Sequence, residues 1–342
     1  ENVAVGSFAL DALTTANYIT AIGYNALSNN TTGSQNTAVG RSALLANVTG
    51  NNNTALGFNA LILSTGSSNT GLGTSVLQSN TSGNDNTGTG RNALASNTTG
   101  NRNVAIGNLV LDGNTTGDNN TAVGYNSLGG NTTGAGNVAV GSEVLDAATT
   151  ASSNTAVGRY ALTNSTTGDL NTAIGFNTMA AAQTADRNVA VGGYALSNYS
   201  ATGDAYVVAV GYGAATNSTT AGQFVAIGNA LGSQTTASYN VAIGYNTMAG
   251  TTTGGSNTAV GRSAMYSNQT GNNNVALGYN TLSANTASLN TAIGSQALTS
   301  NTSASNNTAV GYQALRLNTT GTSNVAVGAQ ALDANVTTNN NT

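Results

Sequence analysis

Histidine, cysteine and lysine are absent from this 342-residue chain, and only 5% of its residues are charged: seven arginines against eleven acids, a net charge of −4. Without histidine or cysteine the chain lacks the usual zinc, copper and iron ligands, the commonest general base and any means of forming a disulfide. Seven scattered arginines cannot neutralise a run of phosphates, so neither nucleic acid nor an anionic membrane surface is an expected partner. No apolar run reaches the roughly 18 residues of a membrane span, and no charged-then-apolar leader is present. The acids stand singly, at Asp112, Asp118, Glu143, Asp146 and Asp169, outside any calcium-repeat spacing. Paired carboxylates, a nucleophile elbow and a phosphate loop are all missing. The expectation is a protein that is not an enzyme and carries no catalytic residue, cofactor or metal.

What the chain does have is a period. Asn36-Thr37-Ala38-Val39-Gly40 returns along its whole length, and the closing glycine stands at Gly6, Gly23, Gly40, Gly57, Gly73, Gly90, Gly107, Gly124, Gly141, Gly158, Gly175, Gly192, Gly211, Gly228, Gly244, Gly261, Gly278, Gly294, Gly311 and Gly328. These 20 copies are 17 residues apart, except for three steps of 16 and one of 19. A fixed period of this kind marks one supersecondary unit stacked on itself, so residues 1–342 are expected to form a single elongated domain. Low charge with abundant Asn, Thr, Ser and Gly resembles the composition of disordered chains. Here, however, 39% of the residues are hydrophobic and they fall in register with the period, which argues for order. The array begins and ends inside the repeat, at Glu1-Asn2 and Asn341-Thr342, and this suggests a segment of a longer protein or ends that stack on something.

Each copy, such as Asn36 to Asn52, opens with alternation of β-branched residues: Thr37/Val39, Val104/Ile106 and Val241/Ile243 stand three and one before the glycine. Period-two alternation predicts a strand of about five residues. Four residues after the glycine comes a leucine row (Leu27, Leu44, Leu61, Leu77 and onward), read as a second short strand facing the first across the core. Turn chemistry of the Asn-Thr-Thr-Gly kind, as in Asn97 to Gly100, follows it. The predicted fold is therefore all-β, a parallel β-solenoid of about 20 coils with two narrow sheets. At roughly 4.8 Å per coil it would be a rod of about 95 Å. The alternation also predicts that Ala38 and Gly40 point away from the Val/Thr layer. They would then form a small-residue face that another surface can approach closely, which favours self-association.

Asn recurs four before the glycine in 17 of the 20 copies, among them Asn36, Asn53, Asn86, Asn103, Asn120, Asn137, Asn154, Asn171, Asn257, Asn274, Asn307 and Asn324. Amides stacked on identical neighbours are expected to hydrogen-bond along the array as a ladder. Ile19, Val207 and Phe224 are the exceptions. The array is least regular between Gly192 and Gly228, where the 19-residue step brings Tyr199, Tyr206, Tyr212 and Phe224; a corner insertion is expected there.

Two surface features are candidates for recognition. The position after the glycine holds Tyr24, Phe58, Tyr125, Phe176, Tyr212, Tyr245, Tyr279 and Tyr312 in eight copies, and Arg41, Arg91, Arg159 and Arg262 in four. Rings and guanidinium groups in a row suit stacking on a sugar face, such as a cell-surface glycan, or filling the groove between associated copies. Sequons recur at the turn, with Asn30, Asn47, Asn97, Asn114, Asn131, Asn164, Asn217 and Asn318 as glycosylation candidates on exposed corners. A stack of threonines at sheet spacing would alternatively order water as an ice-binding surface.

The wording Asn-Thr-Ala-Val-Gly-Tyr-x-Ala-Leu-x-x-Asn-Thr-Thr-Gly at Asn307 to Gly321 resembles the long repeat regions of bacterial and phage tail-fibre-like proteins. The Val-Ala-Ile-Gly core at Val104 to Gly107 is also similar to the heads of trimeric autotransporter adhesins. That resemblance implies a left-handed β-roll and an extracellular fibre or adhesin module at a cell or virion surface. Its expected partner is itself, as a homotrimer or an end-to-end filament, and there are no catalytic residues to carry over.

Overall fold

The computed structural model describes all 342 residues. They are all-β and fall into two compact units, Glu1–Leu170 and Asn171–Thr342. Each unit is a parallel β-solenoid with ten three- or four-residue strands in one sheet, one strand per coil of about 17 residues. In the first unit the strands run from Asn2–Val5 and Ile19–Ile22 to Val138–Val140 and Thr155–Val157. Every strand pairs with that of the next coil, so that Ala38 lies on Ala55 and Val104 on Thr121. The second unit repeats the arrangement from Thr172–Ile174 to Val325–Val327.

The interior of a coil is narrow, and its occupants show why the strands face as they do. Ala38, Ala55, Ala105 and Ala122 are fully buried, whereas Leu56 and Ile106, beside them in the strands, are 45% and 42% exposed. This reverses the predicted polarity. The small middle residue of each strand points inward, and the Thr/Val and Val/Ile/Leu rows point out. Alternation establishes that neighbouring side chains face opposite ways, but not which face is the core. Here the leucine of the facing corner takes up the available width. A Cβ added to Gly71, which holds the alanine position in its coil, would meet Val76 Cγ1 at 3.0 Å and Leu61 Cδ1 at 3.2 Å. A valine or isoleucine has no room there.

The leucine row is not a second strand. All twenty of its members, from Leu10 to Leu332, have left-handed φ, +51° at Leu111 and +49° at Met179. This backbone turns a corner rather than extending. For a non-glycine residue it costs about 1–2 kcal/mol, but burying a leucine side chain returns about 1.5–3 kcal/mol. Burial wins, and Leu27 through Leu162 are completely enclosed. The predicted pair of facing sheets is replaced by one sheet facing a column of corners, joined coil to coil by bonds such as Leu111 N–H to Ser127 O at 3.1 Å and Gly113 N–H to Gly129 O at 3.0 Å. At the closing glycine the coils come too close for a side chain: a Cβ on Gly57, whose φ is +140°, would lie 2.3 Å from Gly73 O.

The asparagine ladder is present and buried. Asn103 Oδ1 accepts from the Asn120 N–H at 3.0 Å, while its Nδ2 donates to Gly117 O at 2.8 Å and to Asn86 Oδ1 at 3.2 Å. Both amide donors are therefore used, and a backbone N–H that the strand pairing leaves over is satisfied. Ile19 and Val207, which interrupt the row, still receive the bond from the coil before, since Ile19 N–H meets Asn2 Oδ1 and Val207 N–H meets Asn188 Oδ1, each at 3.0 Å.

Replacing Asn103 by Ala should orphan the Asn120 N–H, whereas the Gly117 carbonyl still accepts from Asn114 Nδ2 at 3.1 Å. A buried unsatisfied group costs about 1–3 kcal/mol, so a local loss of that size is expected. Native-state hydrogen exchange should show the Asn120 amide losing protection relative to amides several coils away. Unchanged protection at Asn120 would mean that the side chain does not hold it.

Candidate functional site

Four surfaces follow from this coil. The first is the outward strand face. One of its two rows includes Val5, Leu56, Leu72, Ile106 and Val140 in the first unit and Ile174, Ile227, Ile293 and Val327 in the second, all at least 37% exposed. Between Thr20 and Thr87, five consecutive coils place Thr at the other outward position in register. The sheet thus presents apolar and β-branched side chains to solvent while its alanines are buried.

The second is the ring and arginine row. All twelve of its predicted members are exposed, and several are drawn together. The Arg41 guanidinium lies 5.8 Å from the Tyr24 ring centre and 5.7 Å from that of Phe58, and Arg262 lies 5.9 Å from Tyr279. Tyr194, which the sequence reading passed over, bridges Phe176 and Tyr212 edge-to-face at 5.3 and 5.7 Å. Phe8 extends the column at Tyr24 in the same way, at 5.9 Å. Arg159 instead turns to its chain neighbour Tyr160, at 4.4 Å, and Arg91 Nε donates to Asn108 Oδ1 at 3.4 Å. Exposed cation–π pairs contribute about 0.5–1 kcal/mol each, enough to order the row but not to bury it.

The third is the turn carrying the sequons, and here the expectation of exposed acceptors fails for most positions. Asn30, Asn47, Asn97, Asn114, Asn131 and Asn318 are fully buried. They form a second ladder: Asn97 Nδ2 donates to Asn80 Oδ1 at 2.8 Å and to Gly100 O at 3.0 Å, and Asn114 Nδ2 to Asn97 Oδ1 at 2.7 Å. A glycan attached to those nitrogens would replace a hydrogen already in use inside the coil. Asn164 and Asn217 sit one position earlier in the turn and are exposed. The signal for this ladder was in the sequence, as Asn seven after the glycine in eleven copies. The Thr-Thr-Gly that follows makes it look like turn chemistry alone.

The fourth is the irregular stretch. Its extra residues make a small parallel sheet of their own, with Thr184–Asp186 paired to Thr202–Asp204. Arg187 forms an ion pair with Asp204 and lies 5.8 Å from the Tyr206 ring, whose hydroxyl donates to Asp204 Oδ2 at 3.3 Å. A groove of about 210 Å³ opens beside it, lined by Ser200, Thr202, Asp204 and Thr220 among others. Tyr199 takes the place of the second-ladder asparagine in this coil. It is fully buried, and its hydroxyl donates to Ala221 O at 2.9 Å. Burial pushes that hydroxyl's pKa up.

Comparison with models of known protein families gives no match, and comparison with curated protein sequences gives none either. No helix is long and apolar enough to cross a membrane.

Tyr199 supplies a test of the second-ladder column. A phenol whose folded pKa is raised contributes stability that is complete below the unfolded value of about 10 and is lost as pH rises past it. Ultraviolet titration should show Tyr199, one of 13 tyrosines, ionising only together with loss of structure in its coil. Tyr199→Phe should remove that late step. A Tyr199 that ionises with the exposed tyrosines in intact protein would contradict its burial.

Proposed function

We propose that the chain is a structural module of an extracellular fibre or adhesin, and that it self-associates through the outward strand face. The observation that carries this reading is the inverted strand: residues large enough to form a core stand outside, and alanine lines the interior. Ten strands at about 4.8 Å and three residues at about 3.3 Å each give one unit a face of roughly 450 Å². That is within the range of about 300–600 Å² for the largest apolar patch on a monomeric protein, a patch that is often functional, and about half of what each partner buries in a standard interface of about 800 Å² per side. The exposed ring and arginine row adds residue types enriched at interfaces. Low charge, the coil-upon-coil fold and the tail-fibre-like and autotransporter-head-like repeat wording support placement at a cell or virion surface. They are equally compatible with a trimer and with end-to-end assembly into a filament that has no receptor.

A second reading, an ice-binding face, draws on the five in-register threonines from Thr20 to Thr87. Four of the five residues in the row beside them, Ile22, Val39, Leu56 and Leu72, are aliphatic, the fifth being Thr89, which suits a protein partner better than a lattice of water.

Sedimentation velocity on the purified chain is expected to show an oligomer at micromolar concentration. Leu56→Lys with Leu72→Lys and Ile106→Lys should yield a monomer with the same β-sheet circular dichroism, because exposed positions carry little of the fold's stability. A monomeric wild type, or an oligomer indifferent to the three lysines, would overturn the reading.

A further inference from the structure

Tyr266 is the only aromatic residue to occupy its corner position, five after the closing glycine, in any of the copies. In neighbouring coils that position holds Ala249 and Ser283. The ring therefore stands between small side chains, 46% exposed, beside a groove of about 370 Å³. The same groove is lined by Asn246, Ser263 and Asn280, at one equivalent position in three consecutive coils.

These three residues share a left-handed backbone, with φ of +54°, +57° and +54°. Each is fixed to the coil before by its N–H, Asn246 to Asn229 O at 2.9 Å, Ser263 to Tyr245 O at 3.0 Å and Asn280 to Arg262 O at 3.0 Å. Their side chains thus form a column of amide, hydroxyl and amide on a rigid backbone. All three are half-buried. None of the three side chains makes a hydrogen bond within the chain, in contrast with the buried asparagines of the ladders. Ser267 and Ser283 add hydroxyls on the Tyr266 side of the groove. No carboxylate lines it.

A ligand suited to this groove needs an apolar face to lie on a ring and several neutral donors and acceptors on its edge. We propose that the groove is a binding subsite for a neutral saccharide, with one pyranose face on Tyr266 and its hydroxyls directed at Asn246, Ser263 and Asn280. Aromatic stacking supplies the contact area, and amide and hydroxyl groups on a pre-formed backbone fix the orientation at little entropic cost. The volume is at the small end of ligand pockets, which run from about 300 Å³, and it fits one or two sugar rings. The groove's column is next along the chain to Tyr245, Arg262 and Tyr279, but none of those three lines it, nor does any residue of the strand face, so its variants can be read apart from those of the row and of the strand face.

The test is saturation-transfer difference NMR on the full chain with glucose, galactose, N-acetylglucosamine, lactose and maltose as probes. At least one is expected to receive saturation on its ring C–H protons. Tyr266→Ala should weaken that binding roughly three- to tenfold, Tyr266→Phe should preserve most of it, and Asn246→Ala with Asn280→Ala should weaken it again. Circular dichroism and sedimentation of each variant should match the wild type, which separates this outcome from any failure of the oligomer. Absence of transfer to every probe would overturn the proposal. So would a signal that survives both Tyr266→Ala and the double asparagine variant, or one that Tyr245→Ser and Tyr279→Ser abolish instead.

Discussion

Closing a coil in 17 residues leaves an interior too narrow for two opposed rows of large side chains, and the rest of the structure follows from that limit. Leucine enters from the corner, alanine from the strand, and two columns of asparagine occupy the sides. Apolar filling alone would leave backbone groups at the strand entrance and in the turn without partners, since the strands are mostly three residues long. The amide is the side chain that can accept from one coil and donate to another in the same plane. Asn120 does so: its Oδ1 accepts from the Asn137 N–H, and its Nδ2 donates to Asn103 Oδ1 and to Gly134 O, and the pattern recurs along both units. A buried polar network is favourable when its members are satisfied, and repetition makes that possible because each coil supplies what the next one lacks; where Ser64 and Ala148 interrupt the second column, the Oδ1 atoms of Asn47 and Asn131 are left without a partner.

The same limit shapes the surface. Side chains excluded from the interior must go outside, so the strand face becomes apolar without any residue being out of place. In an ordinary domain such a face would belong to the core. Here it is what a solenoid with an alanine-lined strand presents, and it leaves a sheet suited to lie against another. The left-handed corner has a comparable consequence. It fixes the positions around the leucine in one conformation, coil after coil, so that exposed polar residues there are displayed as aligned columns rather than as mobile loops.

Much of this was legible in the sequence. The period established one coil per copy, and the alternating Val-Ala-Ile and Thr-Ala-Val triplets marked the strands. The asparagine before each strand marked the first ladder. What the text could not disclose was direction: Ala38 in and Val39 out has the same alternation as Ala38 out and Val39 in, and only the space left by the opposing leucine decides between them. Leucine in a left-handed conformation was hidden for a related reason. Local propensity argues against it, and the energy that permits it comes from burial against residues a coil away. Asn97 and its equivalents looked like turn residues because they are followed by turn residues. Their burial comes from the path of the chain, which brings Thr98 and Thr99 to the surface and leaves the amide inside.

Thiol labelling on single-cysteine variants tests the central claim most directly, and the absence of native cysteine makes the readout clean. Ala105→Cys and Ile106→Cys are adjacent in one strand, the first fully buried and the second exposed. A maleimide should modify the cysteine at 106 rapidly in folded protein and the cysteine at 105 only after denaturant is added. Fast reaction at 105 with protection at 106 would return the large side chains to the interior and contradict the coil described above.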